Sequence, residues 1–229
     1  MCQNRQYLNI MVQYTSHLGR WVWHMEKIVI IINGSGGVGK DTLCDFAAKH
    51  YRVQAVSSIT PIKEIARKGF GWDGQKDSKS RKLLADLKEL AVKYNDLPFL
   101  YLCREYERFL NSRAQILFVH IREGKEIDKF KNQVSGTCYT LLITRKLNEN
   151  VRWGNVSDDN VEKYEYDWIY ENNKSLKETE QDFCDFLLRH TEGKLYRENI
   201  FSKIKNCKKN FGYGKGTDSF SKKYIKMSQ

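Results

Sequence analysis

The residues best suited to chemistry stand together early in the chain. Gly34-Ser35-Gly36-Gly37-Val38-Gly39-Lys40 carries the spacing G-x-x-x-x-G-K, with Asp41 and Thr42 directly behind it. Glycines at this density let the backbone curl until its N–H groups point at one centre, and the start of a following helix adds partial positive charge. A lysine closing such a loop reaches the β- and γ-phosphate oxygens of a nucleoside triphosphate. A glycine turn that merely joined two elements would have no use for that lysine. The next position ordinarily holds a Ser or Thr that binds Mg²⁺. Here it is Asp41, whose carboxylate is a candidate ligand for Mg²⁺, directly or through water, because that ion takes hard oxygen donors. The alternative role for Asp41 is a favourable charge in a helix first turn. Thr42 is a candidate hydrogen-bond donor to the α-phosphate.

The elements that must position these residues follow from the flanks. Ile28-Val29-Ile30-Ile31-Ile32 is an unbroken β-branched run, as expected of a strand buried on both faces in a parallel sheet. Residues 41–51 read as an amphipathic helix. Strand, glycine loop and helix in that order form the context that gives the motif meaning. Val53 to Val56 reads as a second short strand, and Pro61 opens a helix that Gly69 and Gly71 end. Leu83, Leu84, Leu87, Leu90, Ala91 and Tyr94 lie on one face of a long helix, which Asp96-Leu97-Pro98 breaks and restarts. Phe99, Leu102, Cys103, Tyr106 and Leu110 mark the next core-facing stripe. Ile116 to Ile121 is another buried strand, 125–133 a helix, and Tyr139 to Thr144 a strand ending at Arg145. Residues 146–163 are polar and read as a loop or short lid, in which Arg152 is the candidate phosphate contact. The alternating aromatics of Tyr164 to Tyr170 predict the last strand. Ser175 to His190 reads as the last helix, with Leu176, Phe183, Phe186 and Leu187 inward.

The Gly-Lys-Asp-Thr sequence at 39–42 resembles a subset of P-loop kinases, notably phage deoxynucleoside monophosphate kinases, and animal phosphomevalonate kinases have a related Gly-Lys-Asp. The segment Trp72 to Leu84, W-D-G-x-K-D-x-x-x-R-x-L-L, resembles the acceptor-side segment of the same nucleoside monophosphate kinases. The resemblance covers roughly residues 25–190. It implies a three-layer α/β P-loop NTPase fold with a mostly parallel sheet, adenylate-kinase-like, and transfer of the ATP γ-phosphoryl, with Mg²⁺, to a small phosphorylated acceptor. It also implies that Arg81, and more weakly Lys76, contact the acceptor monophosphate; read alone, Arg81 is a solvated helix charge. Relatives often show Asp-x-Arg where this chain has His120-Ile121-Arg122, so His120 stands in the expected acidic place. A strand-end histidine is more often structural, and Glu123 is the candidate replacement as metal partner. Arg122 and Arg145, at two strand ends, are candidates to face phosphates and stabilise charge on the transferred group.

Composition bounds the rest. The chain has 229 residues, enough for one α/β core, and no apolar run approaches the ~18 residues of a membrane span. Six cysteines, Cys2, Cys44, Cys103, Cys138, Cys184 and Cys207, are scattered without a C-x-x-C pair, so neither a disulfide framework nor a zinc site is indicated. Reduced thiols in a cytoplasmic protein are the expectation. The net charge is +11. Residues 191–229 hold ten Lys and Arg against three acids, residues 1–24 two arginines and no acid, and residues 25–190 carry only +2. The basic character therefore sits at the two ends. Residues 1–24 show no fold pattern and are expected to be a non-native or disordered leader ahead of Met25. Residues 191–229 are expected to be a basic tail, and nucleic acid is a partner only through that tail. Two rivals remain: an NTP-dependent nucleic-acid-binding or regulatory protein, and a kinase of a non-nucleotide metabolite.

Overall fold

A computed structural model describes residues 26–75, 77–146, 161–191 and 195, together with the backbone of 11–15 and 20–24. The chain divides into two compact units, Lys27–Phe183 and a second one formed by Met1–Glu26 with Cys184–Gln229.

The larger unit is built on β3 (Ile28–Asn33), whose six residues are all buried. A strand with no polar face has to be covered on both sides, and it is the middle strand of five. The sheet also contains β4 (Val53–Ser57), β5 (Ile116–His120), β6 (Thr137–Thr144) and β7 (Trp168–Glu171), in the order β4-β5-β3-β6-β7. Every pairing is parallel, with Ile32 of β3 opposite His120 of β5 and Leu141 of β6.

Parallel strands need crossovers, and here helices supply them. The helix α1 (Lys40–Ala48) links β3 to β4. Three helices, α2 (Thr60–Phe70), α3 (Ser78–Asn95) and α4 (Leu97–Leu110), link β4 to β5, and α5 (Gly124–Gln133) links β5 to β6. The first crossover steps along the sheet in the opposite direction to the other two. Right-handed connections then put α1 on one face and α4 and α5 on the other, giving three layers. The side-chain alternation agrees: Val29 and Ile31 pack with Leu102, Tyr106 and Phe109 of α4 and Ile127 and Phe130 of α5. Ile28, Ile30 and Ile32 point the other way and are equally buried. At the foot of this core Lys27 donates to the carbonyls of Phe109, Ser112 and Ala114 at 2.8–3.0 Å, capping the end of α4 with an ammonium charge. The fold is thus the three-layer α/β architecture with a parallel sheet that the sequence implies.

Three expectations are corrected. The last strand is only Trp168–Glu171. Tyr164 and Tyr166 instead send their hydroxyls to Asp128 and to the Val161 carbonyl, at 2.7 and 2.9 Å. The apolar face of α3 buries no residue, with Leu90 65% and Tyr94 85% exposed. Leu110 of α4 and Leu176 of the last helix, α6 (Leu176–His190), are exposed and not inward. Ahead of Met25, β1 (Met11–Thr15) and β2 (Arg20–His24) pair antiparallel, Met11 opposite His24. In the second unit Thr191 and Leu195 are also buried. The remainder of the tail, most of the lid (147–160) with Arg152, and Lys76 lie outside the described residues.

Candidate functional site

In an open parallel sheet, ligands bind outside the carboxyl ends of the strands where the direction of winding reverses. That reversal lies between β3, whose crossover runs towards β4, and β6, whose crossover runs towards β7. The loop 34–39 leaves β3 at this crevice. Gly34 has φ +145 and a side chain there would stand 2.4 Å from the Ile143 carbonyl oxygen of β6. Gly39 has φ +93 and a Cβ would meet the Asn172 amide at 2.6 Å. Only glycine lets the backbone take this path so close to its neighbours.

Two buried asparagines hold the loop. Asn33, 1% exposed, accepts from Gly34 N–H at 2.8 Å, and its amide donates to the Arg122 carbonyl at 2.9 Å and the Tyr166 hydroxyl at 2.8 Å. It therefore ties the start of the loop to the end of β5. Burial pushes the Tyr166 phenol up to about 12, so the hydroxyl keeps its proton and donates onward to Val161. Asn172, just after β7, donates its side-chain amide to the Val38 carbonyl at 2.8 Å and its backbone N–H to the Thr144 carbonyl, also at 2.8 Å. Sequence reading assigned neither asparagine a role. A polar residue closing a wholly apolar strand was the available signal for Asn33. Asn172 stands between the alternating aromatics of 164–170 and the final helix.

The first turn of α1 has no side-chain cap, so its N–H groups open onto the loop. Lys40 bends back along the loop, donating to the Ser35 carbonyl at 2.9 Å and to that of Gly34. Thr42 is half-buried one residue beyond Asp41. Loop amides, helix terminus and ammonium group thus stand together beyond the carboxyl end of β3, the combination of groups suited to phosphate.

The strand ends bring other groups to this edge. Arg122, exposed, follows β5, and Arg145 follows β6. The Arg145 Nε–H is buried with no hydrogen-bond partner among the described residues. A buried cationic donor left in this state beside a phosphate cradle fits an anionic ligand. Asp41 is almost wholly exposed, and its Oδ1 lies 3.9 Å from Nδ1 of His120. The other His120 nitrogen, Nε2, lies 3.8 Å from the Cys44 sulfur. Burial drives the imidazole down to about 4, with Asp41 opposing and Lys40, Lys63 and Arg122 adding to the shift, so the ring is neutral near pH 7. Burial likewise holds the Cys44 thiol protonated. Glu123 does not stand open to a metal: Lys88 of α3 bonds it at 2.6 Å and also bonds Glu126. Arg81 is exposed on α3, where its N–H bonds the Asp77 carbonyl. No group of three or more His, Cys, Asp and Glu is placed to hold a metal by itself among the described residues. Asp41 and, by position, His120 are the side chains that fit a cation carried on phosphate oxygens. Among the described residues no helix is long and apolar enough to cross a membrane.

No family model matches this chain, and no curated protein matches it either. Similar solved structures include the tunicamycin resistance protein of Deinococcus radiodurans, at 11% identity and TM-score 0.46, covering 71% of this chain and 96% of that one. The Thermus thermophilus protein TT1252 is 19% identical with TM-score 0.42, covering 72% and 98%. Shikimate kinase of Aquifex aeolicus is 13% identical with TM-score 0.38, covering 73% and 99%. These are distant likenesses, and the site stands on its own geometry.

Proposed function

We propose that this chain is an ATP-dependent phosphotransferase that moves the γ-phosphoryl group to a small phosphorylated acceptor, a nucleoside or deoxynucleoside monophosphate being the preferred class. The carrying observation is the loop 34–39, held at Gly34 and Gly39 in conformations open only to glycine and braced by Asn33 and Asn172, opening onto an uncapped helix with Lys40 beside it. In this reading the amides of Gly34 to Thr42 cradle the phosphates. Lys40 swings from the loop carbonyls to the β- and γ-oxygens and offsets charge as the group transfers. Arg145 and Arg122 approach from the two flanking strand ends, the first bringing its unpaired Nε–H. Arg81 and Lys76 receive the acceptor phosphate, and Arg152 of the lid touches the donor phosphates. No general base is required, because the accepting atom is itself a phosphate oxygen. A divalent cation carried on the nucleotide, Mg²⁺ in the general case, would offset charge on the transferred group. Asp41 would help to hold that cation.

The test is ADP formation from ATP across a panel of monophosphates, with Lys40→Ala alongside. The variant is expected to lose about 10²–10³ in turnover, the range for removing one preorganised charge-stabilising donor. Nucleotide affinity falls less, since the amides remain. An unchanged rate in Lys40→Ala overturns the reading. Turnover with sugars or carboxylic acids, and none with monophosphates, keeps the kinase and replaces the acceptor.

A further inference from the structure

Asp41 and His120, side by side next to the loop 34–39, are unlike donors. Asp41 lies in the first turn of α1, and its carboxylate is 95% exposed. His120 closes β5 opposite Ile32, the last residue but one of the strand that feeds the loop. Its ring is 16% exposed, so its direction is fixed by packing, and Nδ1 faces Asp41 at 3.9 Å. Two ligands of one ion, each with a bond of about 2.1 Å, stand roughly 3 to 4 Å apart according to the angle between them. The observed separation falls inside that span, and a side-chain rotation of exposed Asp41 adjusts it. The opposite ring nitrogen meets the Cys44 sulfur at 3.8 Å. A proton on Nε2 directed at that sulfur leaves the Nδ1 lone pair turned to Asp41, the usual way a neighbour selects the ligating nitrogen.

We propose that Asp41 and His120 jointly ligate the divalent cation carried by the bound nucleotide, and that this carboxylate–imidazole pair selects a first-row transition ion of the Mn²⁺ type over Mg²⁺. The proposal rests on the nucleotide-binding reading above. Mg²⁺ prefers an octahedron of oxygens and dehydrates reluctantly, whereas imidazole suits transition ions. An acid at the end of β5 would complete an all-oxygen set, and this chain puts nitrogen there. Lys40, Lys63 and Arg122 also face the ring and repel a bare cation. The ion therefore arrives on the triphosphate, whose charge outweighs theirs and whose oxygens fill the remaining coordination positions.

The experiment uses the full chain with a non-hydrolysable ATP analogue. Pulsed electron paramagnetic resonance of the Mn²⁺ complex is expected to show nitrogen hyperfine coupling from a directly bound imidazole, lost in His120→Ala. Calorimetry is expected to give the Mn²⁺–analogue complex an affinity at least about tenfold above the Mg²⁺ complex, the scale on which metal-site substitutions act. His120→Asp should remove or invert that preference. The wild-type spectrum does not depend on how either variant folds. Bound Mn²⁺–analogue without nitrogen coupling overturns the ligand assignment. Equal affinities for the two complexes overturn the selectivity. Failure to bind the analogue with either ion overturns the nucleotide site itself.

Discussion

Gly34 and Gly39 both carry positive φ, yet a methyl group at each would meet a different kind of obstacle. At Gly34 the obstacle is the Ile143 carbonyl, which belongs to the sheet and cannot retreat. At Gly39 it is the Asn172 side-chain amide, which can be removed. The expected outcome is that Asn172→Ala partly rescues Gly39→Ala and does nothing for Gly34→Ala. The conformational cost of a non-glycine residue at such angles, about 1–3 kcal/mol, persists in both backgrounds. Asn172→Ala alone should also weaken nucleotide binding, because the Val38 carbonyl loses its donor and the loop loses a brace. Thermal melts and nucleotide titrations of the three single and two double variants form the check. Equal rescue at both glycines would show that Asn172 shapes the loop by some route other than contact with Gly39.

Among the elements, α3 is the one held least by burial. None of its eighteen residues is buried, and Lys88 is its ionic tie to the start of α5 through Glu123 and Glu126. Burial, together with the neighbouring Glu123 carboxyl, raises Glu126 from 4.5 to about 7, against the pull of Lys88. The folded state then keeps a proton on this carboxyl pair that the unfolded chain loses above pH 4.5. With more protons bound in the native state, Glu126 lowers stability as pH rises from about 4.5 to about 7. His120, held near 4, works in the opposite sense between pH 4 and 6.5, so the Glu126 contribution is read as a difference between two proteins. Glu126→Gln, neutral throughout, should show a melting temperature that gains on the wild type as pH climbs through that window, while Glu123 still holds Lys88. Parallel melting curves against pH would rule out the shared proton. Local pattern revealed much of this level and hid the rest for a physical reason. Strand β3, the glycine loop and α1 are contiguous, so a β-branched run and glycine spacing suffice to read them. The aromatic alternation of Tyr164 to Tyr170 has the period of a strand, but Tyr164 and Tyr166 take partners 36 and 133 residues away. His120 meets Cys44 across 76 residues, a pairing that only the parallel register of β3 and β5 creates. The partners of Asn33 were hidden in the same way: they come from the next residue, the segment after β5 and the segment before β7.

At the scale of the whole molecule, the sequence places the end of the kinase-like region at His190, where helical periodicity stops. The buried residues run further. Thr191 is wholly buried and returns both its N–H and its hydroxyl to the Leu187 carbonyl, at 3.0 and 2.8 Å. Leu195 is 2% exposed. Burying one leucine side chain contributes about 1.5–3 kcal/mol, and a buried hydroxyl–carbonyl bond adds about 0.5–1.5 kcal/mol. Two shortened chains separate this contribution from that of the basic remainder. A chain ending at Leu195 is expected to melt close to the full-length protein and to bind polyanions more weakly, having lost most of the tail's positive charge. A chain ending at His190 is expected to melt several degrees lower, as a loss of a few kcal/mol implies for a domain of this size. Each is measured by circular dichroism under one buffer and salt, with heparin retention recorded in parallel. Equal melting temperatures for the two shortened chains would mean that Thr191 and Leu195 stabilise nothing beyond the helix that precedes them. An unchanged heparin elution after removal of 196–229 would place the basic surface elsewhere in the chain.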